Sequence, residues 1–160
     1  GCAELVQPQV QQRQLQLRVL AEIDAGLYVQ ADMRRLRQVM LNLLSNAIKY
    51  TPPQGLIHMG YELRSGCVRL WVEDNGAGLT AEQQANLFQP FQRLGRENSN
   101  IPGAGIGLVL CLELATLMAG EMGFSSSAGI GSRFWIDLPG AAVPPEQDAV
   151  SIETLFTPPK

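Results

Sequence analysis

The chain has 160 residues, 46% hydrophobic and 17% charged, a balance that fits an ordinary soluble globular domain and excludes fibrous or disordered classes. Its net charge is -3, from 12 basic and 15 acidic residues that are scattered rather than clustered, so no basic stripe exists to track nucleic acid or an anionic membrane. Cys2, Cys67 and Cys111 form neither a disulfide framework nor a CxxC zinc pattern and fit a reducing compartment, and the single histidine, His58, cannot build a metal cluster alone.

One domain is the default for this length, able to bury roughly 70% of its unfolded surface. No apolar run reaches the ~20 residues of a membrane span, and residues 1–20 do not read as a signal peptide. In chain order, a short helix over 3–14 precedes an alternating stretch that predicts a strand over 15–22. Asp24-Ala25-Gly26 marks a turn, and residues 27–30 form a short strand. Asp32 then caps a helix over 33–50, which Pro52, Pro53 and Gly55 stop.

Residues 56–64 and 67–73 read as strands joined at Ser65-Gly66, with Val68, Leu70 and Val72 on one face and Arg69, Trp71 and Glu73 on the other. Thr80 caps a short helix reaching about residue 87. Residues 89–104 show no clean period and form a long loop, the kind that is usually functional or disordered. An apolar helix over 105–118 and strands over 121–127 and 131–138 follow, and from Pro139 the chain reads as a Pro-rich tail or linker. Helices with antiparallel hairpins, without strict βαβ alternation, predict an α+β two-layer sandwich with helices on one face of a mixed sheet. The expected division is a domain over residues 1–140 and a tail over 141–160.

Four constellations carry chemistry. On the helix over 33–50, Gln38, Asn42, Asn46 and Lys49 share a narrow stripe opposite an apolar face. A solvated surface is the ordinary reading, but two mid-helix asparagines are a local cost that function often explains. An Asn carbonyl suits Mg²⁺, and a nearby Lys suits phosphate. Asp74, at a strand end, can accept from an exocyclic amine while Gly76 and Gly78 let a flat ring approach backbone, although Asp-Asn-Gly is also a turn sequence.

Gly103-Ala104-Gly105-Ile106-Gly107-Leu108 opens a helix and exposes amide N–H groups to an anion; it is neither a P-loop nor a dinucleotide fingerprint, and a hinge is its plainer reading. Phe88 and Phe91 anchor a loop whose Arg93 and Arg96 can reach phosphate. Six of the 16 glycines fall between Gly76 and Gly107, around these features.

Taken together, the elements resemble the catalytic and ATP-binding domain of bacterial sensor histidine kinases, in the superfamily shared with gyrase B, Hsp90 and MutL ATPases. Residues 38–52 are similar to the N box, Asp74 to Leu79 to the first glycine box, Phe88 to Phe91 to the F box, and Gly103 to Leu108 to the second glycine box. Gly129 to Phe134 and Leu138-Pro139 resemble the closing segment and last strand. The resemblance spans about residues 4–139 and implies the Bergerat ATP-binding fold with a mobile ATP lid.

It further implies roles. Asn46 would ligate Mg²⁺, Asn42 would lie by the phosphates, Lys49 would contact phosphate oxygens and Tyr50 would pack near sugar or base. Asp74 would bind the adenine amino group, Gly76 and Gly78 would shape the pocket, and Gly103, Gly105 and Gly107 would let the lid close. Leu79, Phe88, Ile106 and Leu108 complete the implied nucleotide-binding set, and Arg93 or Arg96 would neutralise charge.

A Glu in hydrolysing relatives activates water at the position matching Asn42, and Asn cannot be that base, which favours a kinase over an ATPase. The lid is short, and Ala104 and Ile106 replace the commoner Thr and Leu. The implied activity is phosphoryl transfer from ATP to a histidine on a separate dimerisation and phosphoacceptor domain absent from this chain, so that the chain does not phosphorylate itself in cis. A nucleotide-binding pseudokinase or an anti-sigma-type serine kinase are the alternatives. A downstream response regulator is the further implied partner, and the location is cytoplasmic, alone or as part of an inner-membrane sensor. His58, in an alternating strand, reads as structural.

Overall fold

The computed structural model describes residues 2–20, 28–64, 66–85, 104–141 and 149–156. In chain order the elements are α1 (Cys2–Gln12), β1 (Gln16–Val19), β2 (Tyr28–Gln30), α2 (Met33–Tyr50), β3 (Leu56–Arg64), β4 (Cys67–Asp74), α3 (Ala81–Ala85), α4 (Ala104–Leu117), β5 (Glu121–Ser127), β6 (Gly131–Ala141), β7 (Ala149–Ser151) and α5 (Ile152–Phe156).

α2 begins and ends where short-range chemistry demands. The Asp32 carboxylate accepts from the Arg35 N–H at 3.1 Å, satisfying one of the orphan donors of the first turn. At the other end the Thr51 N–H and hydroxyl both donate to the Ala47 carbonyl, at 3.0 and 2.6 Å, and the Arg13 guanidinium donates to the Lys49 and Thr51 carbonyls at 3.3 Å. Between these caps Leu36, Val39, Met40, Leu43, Leu44 and Ala47 are buried as their 3.6-residue spacing requires. Each large one contributes about 1.5–3 kcal/mol by leaving water. Asn46, at the margin of that face, is buried as well.

The strands form one mixed sheet in the order β1-β3-β4-β6-β2-β7, with β5 also on β6. The β1–β3 pair is parallel and the other pairs are antiparallel. β6 is long enough to serve three partners: residues from Ser132 to Pro139 face β4, residues from Gly131 to Asp137 pair with β5 on the other side, and Gly140 and Ala141 pair with β2. Val68, Leu70 and Val72 sit opposite Leu138, Ile136 and Phe134 on the inner face, under α2 and α4. Arg69, Trp71 and Glu73 sit opposite Asp137, Trp135 and Arg133 on the outer face. The architecture is the expected two layers, helices on one side of a mixed sheet. Among the described residues no helix is long and apolar enough to cross a membrane.

The Pro-rich end departs from the expected tail. β6 runs past Pro139 to Ala141, and β7 returns to pair with β2, Val150 lying opposite Val29. Val150, Ile152, Leu155 and Phe156 are buried, and the Phe156 ring meets Tyr61 with centroids 5.8 Å apart. Pro144-Pro145 and Pro158-Pro159 flank this segment, so proline density hid a four-residue apolar set able to close the core. The turn at 24–26 and the loop over 89–103 lie outside the described residues.

Leu155→Ala should therefore lower the unfolding free energy by about 2–5 kcal/mol, the cost of a core truncation. Urea denaturation measures it; a change below about 0.5 kcal/mol would return residues 149–156 to the status of a linker.

Candidate functional site

Asp74 is the last residue of β4 and shares the inward parity of Leu70 and Val72, so the carboxylate points to the helix side where the apolar row runs out. Its cross-strand partner on β6 is Ser132. The Gly76 N–H donates to Asp74 Oδ1 at 2.9 Å, and the Ser132 N–H also donates to the carboxylate. Burial pushes the Asp74 pKa up, helped by the neighbouring Glu73 charge, against the opposing pull of those two hydrogen bonds. The result is a desolvated carboxylate with acceptor capacity to spare.

Behind it the Ser126 hydroxyl donates to the Gly131 carbonyl at 3.1 Å and accepts from the Leu79 N–H at 2.8 Å. Ser126 has one proton, so the 2.9 Å contact with Ser132 is a donation from the Ser132 hydroxyl. The Ser132 oxygen keeps its lone pairs for whatever lies beside Asp74.

A cavity of about 260 Å³ opens in front of these groups. α2 supplies Asn46, Ala47 and Tyr50; the sheet supplies Asp74, Ser132 and Phe134; the connection after β4 supplies Gly78, Leu79, Thr80 and Gln83. Thr80 and Gln83 form a reciprocal cap at the start of α3, each backbone N–H donating to the other's side chain. Two glycines hold this connection tight. Gly78 has φ +71° and a side chain there would overlap the Ser127 carbonyl; a Cβ on Gly76 would lie 2.9 Å from both Asp74 Oδ1 and the Tyr50 carbonyl. Asn46 is 8% exposed, and its Nδ2 meets no hydrogen-bond partner among the described residues. A buried carboxamide left unsatisfied on a cavity wall suits a polar ligand.

The expected residues divide into three groups. Asn46, Tyr50, Asp74, Gly78 and Leu79 line one cavity, and Gly76 holds Asp74. Asn42 lies one turn before Asn46 and outside that lining, with Oδ1 accepting from Gln38 Nε2 at 2.9 Å. Lys49 lines a different groove, about 370 Å³, between α1 and α2 beside Arg13. Leu108 is fully buried in the core, and Gly105, Ile106 and Gly107 lie in the opening turns of α4. Phe88, Arg93, Arg96 and Gly103 lie outside the described residues.

Sequence reasoning missed Ser132, Ser126, Phe134 and Gln83 as site residues. Ser132 stands in the quoted closing segment, but nothing local marks it; only its register with Asp74 does. A broader depression of about 740 Å³ lies on the outer face, where Arg69 pairs with Asp137 at 2.8 Å and Arg133 with Glu73 at 2.6 Å. Those charges are already matched, so the smaller inner cavity is the better candidate. Among the described residues no three His, Cys, Asp or Glu side chains converge as a metal site.

The profile of the family described as Histidine kinase-, DNA gyrase B-, and HSP90-like ATPase matches residues 31–142. The chain is 36% identical over 140 residues to the sensor histidine kinase RcsC of Escherichia coli, covering 86% of this chain and 15% of that protein. It is 37% identical over 127 residues to the circadian input-output histidine kinase CikA of Synechococcus elongatus, covering 78% of this chain and 17% of that one. The fold superposes on full-length ShkA, solved in complex with AMPPNP, with TM-score 0.73 and 30% identity over 89% of this chain and 30% of ShkA. The chain thus spans about one sixth of the length of these curated relatives.

The Asp74 environment makes a pH prediction. With its folded pKa above the ordinary 3.8, the folded chain holds the proton more tightly than the unfolded chain; the resulting stability is complete below pH 3.8 and is lost as pH rises through the folded value. Asp74→Asn removes this dependence. Urea unfolding of both proteins across the acid range should show the variant gaining on the wild type as pH rises from 3.8, then a constant difference; a constant difference throughout would contradict the desolvation of Asp74.

Proposed function

The chain belongs to the histidine kinase-, DNA gyrase B- and HSP90-like ATPase family and is an ATP-binding domain of the type sensor histidine kinases carry, and from this premise we propose that the cavity between Asp74 and Asn46 holds the nucleotide for transfer of its γ-phosphoryl group to a histidine on a separate domain. The observation that carries the reading is that a desolvated carboxylate and an unsatisfied buried carboxamide line the same cavity.

Asp74 accepts from the adenine amino group, a neutral donor that a buried carboxylate binds well because no bulk water competes. The Ser132 lone pairs lie beside it as a second acceptor. Tyr50 and Phe134 give the flat base apolar walls. Asn46 faces the phosphate end. Its amide can turn to present Oδ1, a neutral oxygen of the kind Mg²⁺ accepts when phosphates and water complete its shell, so the residue fits the ion. When bound, that ion supplies neutralisation of phosphate charge. Asn42 stands one helical turn further along and lies by the phosphates; Lys49 adds a cation from the adjoining groove.

Phosphoryl transfer asks for little else. The bond from the γ-phosphorus to the bridging oxygen breaks as one to an imidazole nitrogen forms, and this chain's contribution is to orient the triphosphate and hold its charge. Asn42 carries no basic group to deprotonate water, which directs the phosphoryl group to a nucleophile from outside. The proposed role of Gly103, Gly105 and Gly107 is to let backbone close over the triphosphate, and that of Arg93 or Arg96 is to neutralise charge. The partners proposed are the parent protein's own dimerisation and phosphoacceptor domain and a response regulator. Residues 1–140 are the proposed catalytic unit, to which β7 and α5 add a packed closing segment.

Asp74→Asn should weaken ATP binding by about 10–100-fold, the loss expected for a hydrogen bond to a charged group, with the circular dichroism unchanged. Asn46→Ala should remove chiefly the Mg²⁺-dependent part of the affinity; equal loss with and without the ion would contradict its role. Incubating the chain with a histidine phosphoacceptor domain of its parent and labelled ATP should give acid-labile label. Acid-stable label, or none from a protein that binds ATP, would overturn the kinase reading.

A further inference from the structure

Gln38, Asn42 and Cys111 join α2 to α4 at a point outside the cavity. Gln38 Nε2 donates to Asn42 Oδ1 at 2.9 Å. That contact alone does not orient the Asn42 amide, because reversing both carboxamides gives an equivalent bond. Cys111 removes the ambiguity. It is fully buried on α4, and its thiol donates to the Val39 carbonyl at 3.8 Å. The thiol also hydrogen-bonds the Asn42 side chain; with its proton committed to Val39, the sulfur can act there only as an acceptor, so the group that meets it is the Asn42 NH₂.

From this geometry we infer that Gln38 and Cys111 are positioning residues that lock the Asn42 carboxamide with its oxygen toward Gln38 and its NH₂ toward α4, leaving one N–H free for a phosphate oxygen. The inference rests on the proposed placement of Asn42 by the phosphates. Phosphate oxygens are acceptors only, so the direction of the amide decides the sign of the contact: an N–H attracts and a carbonyl oxygen repels. A freely turning amide would divide its time between the two and spend binding energy on being ordered. The Cys111 thiol is held protonated by its surroundings; burial pushes its pKa up to about 11, against a lowering hydrogen bond from the Asn42 side chain. Sulfur in this place therefore stays a neutral acceptor at physiological pH.

The test compares ATP with adenosine, which carries the adenine but no phosphate, by calorimetric titration of the full chain. Gln38→Met keeps length and removes the donor; Cys111→Val keeps bulk and removes the acceptor. Each should weaken ATP about three- to tenfold and leave adenosine unchanged, as should Asn42→Ala. Cys111→Ser, whose hydroxyl donates to Val39 and accepts from Asn42, should restore the ATP affinity that Cys111→Val loses. In an Asn42→Ala background Gln38→Met should add no further loss. Because Gln38 is exposed, its variant tests the idea even if Cys111→Val unfolds.

If Asn42→Ala weakens ATP but Gln38→Met and Cys111→Val do not, the positioning role is overturned while the phosphate role of Asn42 stands. If Asn42→Ala itself leaves ATP unchanged, the placement of Asn42 by the phosphates fails and the inference with it. Equal weakening of ATP and adenosine would mark a merely structural effect and overturn it as well.

Discussion

The register between β4 and β6 is the constraint on which the rest depends. Side chains alternate along a strand, so a slip of one residue would carry Arg69, Trp71 and Glu73 into the core and turn Val68, Leu70 and Val72 to solvent. In the observed register three apolar pairs, Val68–Leu138, Leu70–Ile136 and Val72–Phe134, are followed by one polar pair, Asp74–Ser132. The cavity is the place where the apolar row stops but the inward parity continues. Asp74 is buried because it obeys the same alternation that packs the core, and no separate device is needed to bring it there.

The outer face, which carries no helical layer among the described residues, shows how this register is kept. Arg69-Leu70-Trp71-Val72-Glu73 on β4 runs antiparallel to Arg133-Phe134-Trp135-Ile136-Asp137 on β6, so each arginine meets a carboxylate and an indole of the opposite strand. Arg69 lies 4.2 Å from the Trp135 ring and Arg133 4.3 Å from the Trp71 ring. Gly60 and Gly123, opposite the two tryptophans on the flanking strands, leave room for the rings to lie across the sheet. A cation over a ring contributes about 0.5–1 kcal/mol at exposed sites, less than one buried leucine, so the inner face supplies stability and the outer face mainly opposes wrong registers.

The cavity itself is assembled from costs. A raised carboxylate pKa and an unpartnered carboxamide each make the empty fold less stable than apolar replacements would. The nucleotide proposed for this cavity would offset both, its exocyclic amine meeting the carboxylate and its polar end the carboxamide. Stability given up in the empty domain thus returns on binding, which is how a site built from desolvated groups couples occupancy to rigidity.

Much of the architecture is legible in the chain. The limits of α2 follow from Asp32 and Pro52, residues whose preferences act within one turn, and β3, β4 and β5 follow from alternation and Gly66. Asn46 stands out because asparagine is a poor residue for a helix middle, whereas Asp74, in Asp-Asn-Gly, reads equally as an ordinary turn residue. The closing segment was hidden because its prolines speak of local stiffness, while Val150, Ile152, Leu155 and Phe156 are buried through partners far earlier in the chain, in α1, β2 and β3. The same distinction covers the site. Sequence by itself determined most of the elements as far as β6, together with the unusual asparagines, since these rest on interactions between near neighbours. Only the tertiary structure decided that Ser132 stands beside Asp74, that Lys49 faces α1, and that Cys111 meets Asn42, because those depend on how two strands register and how two helices cross.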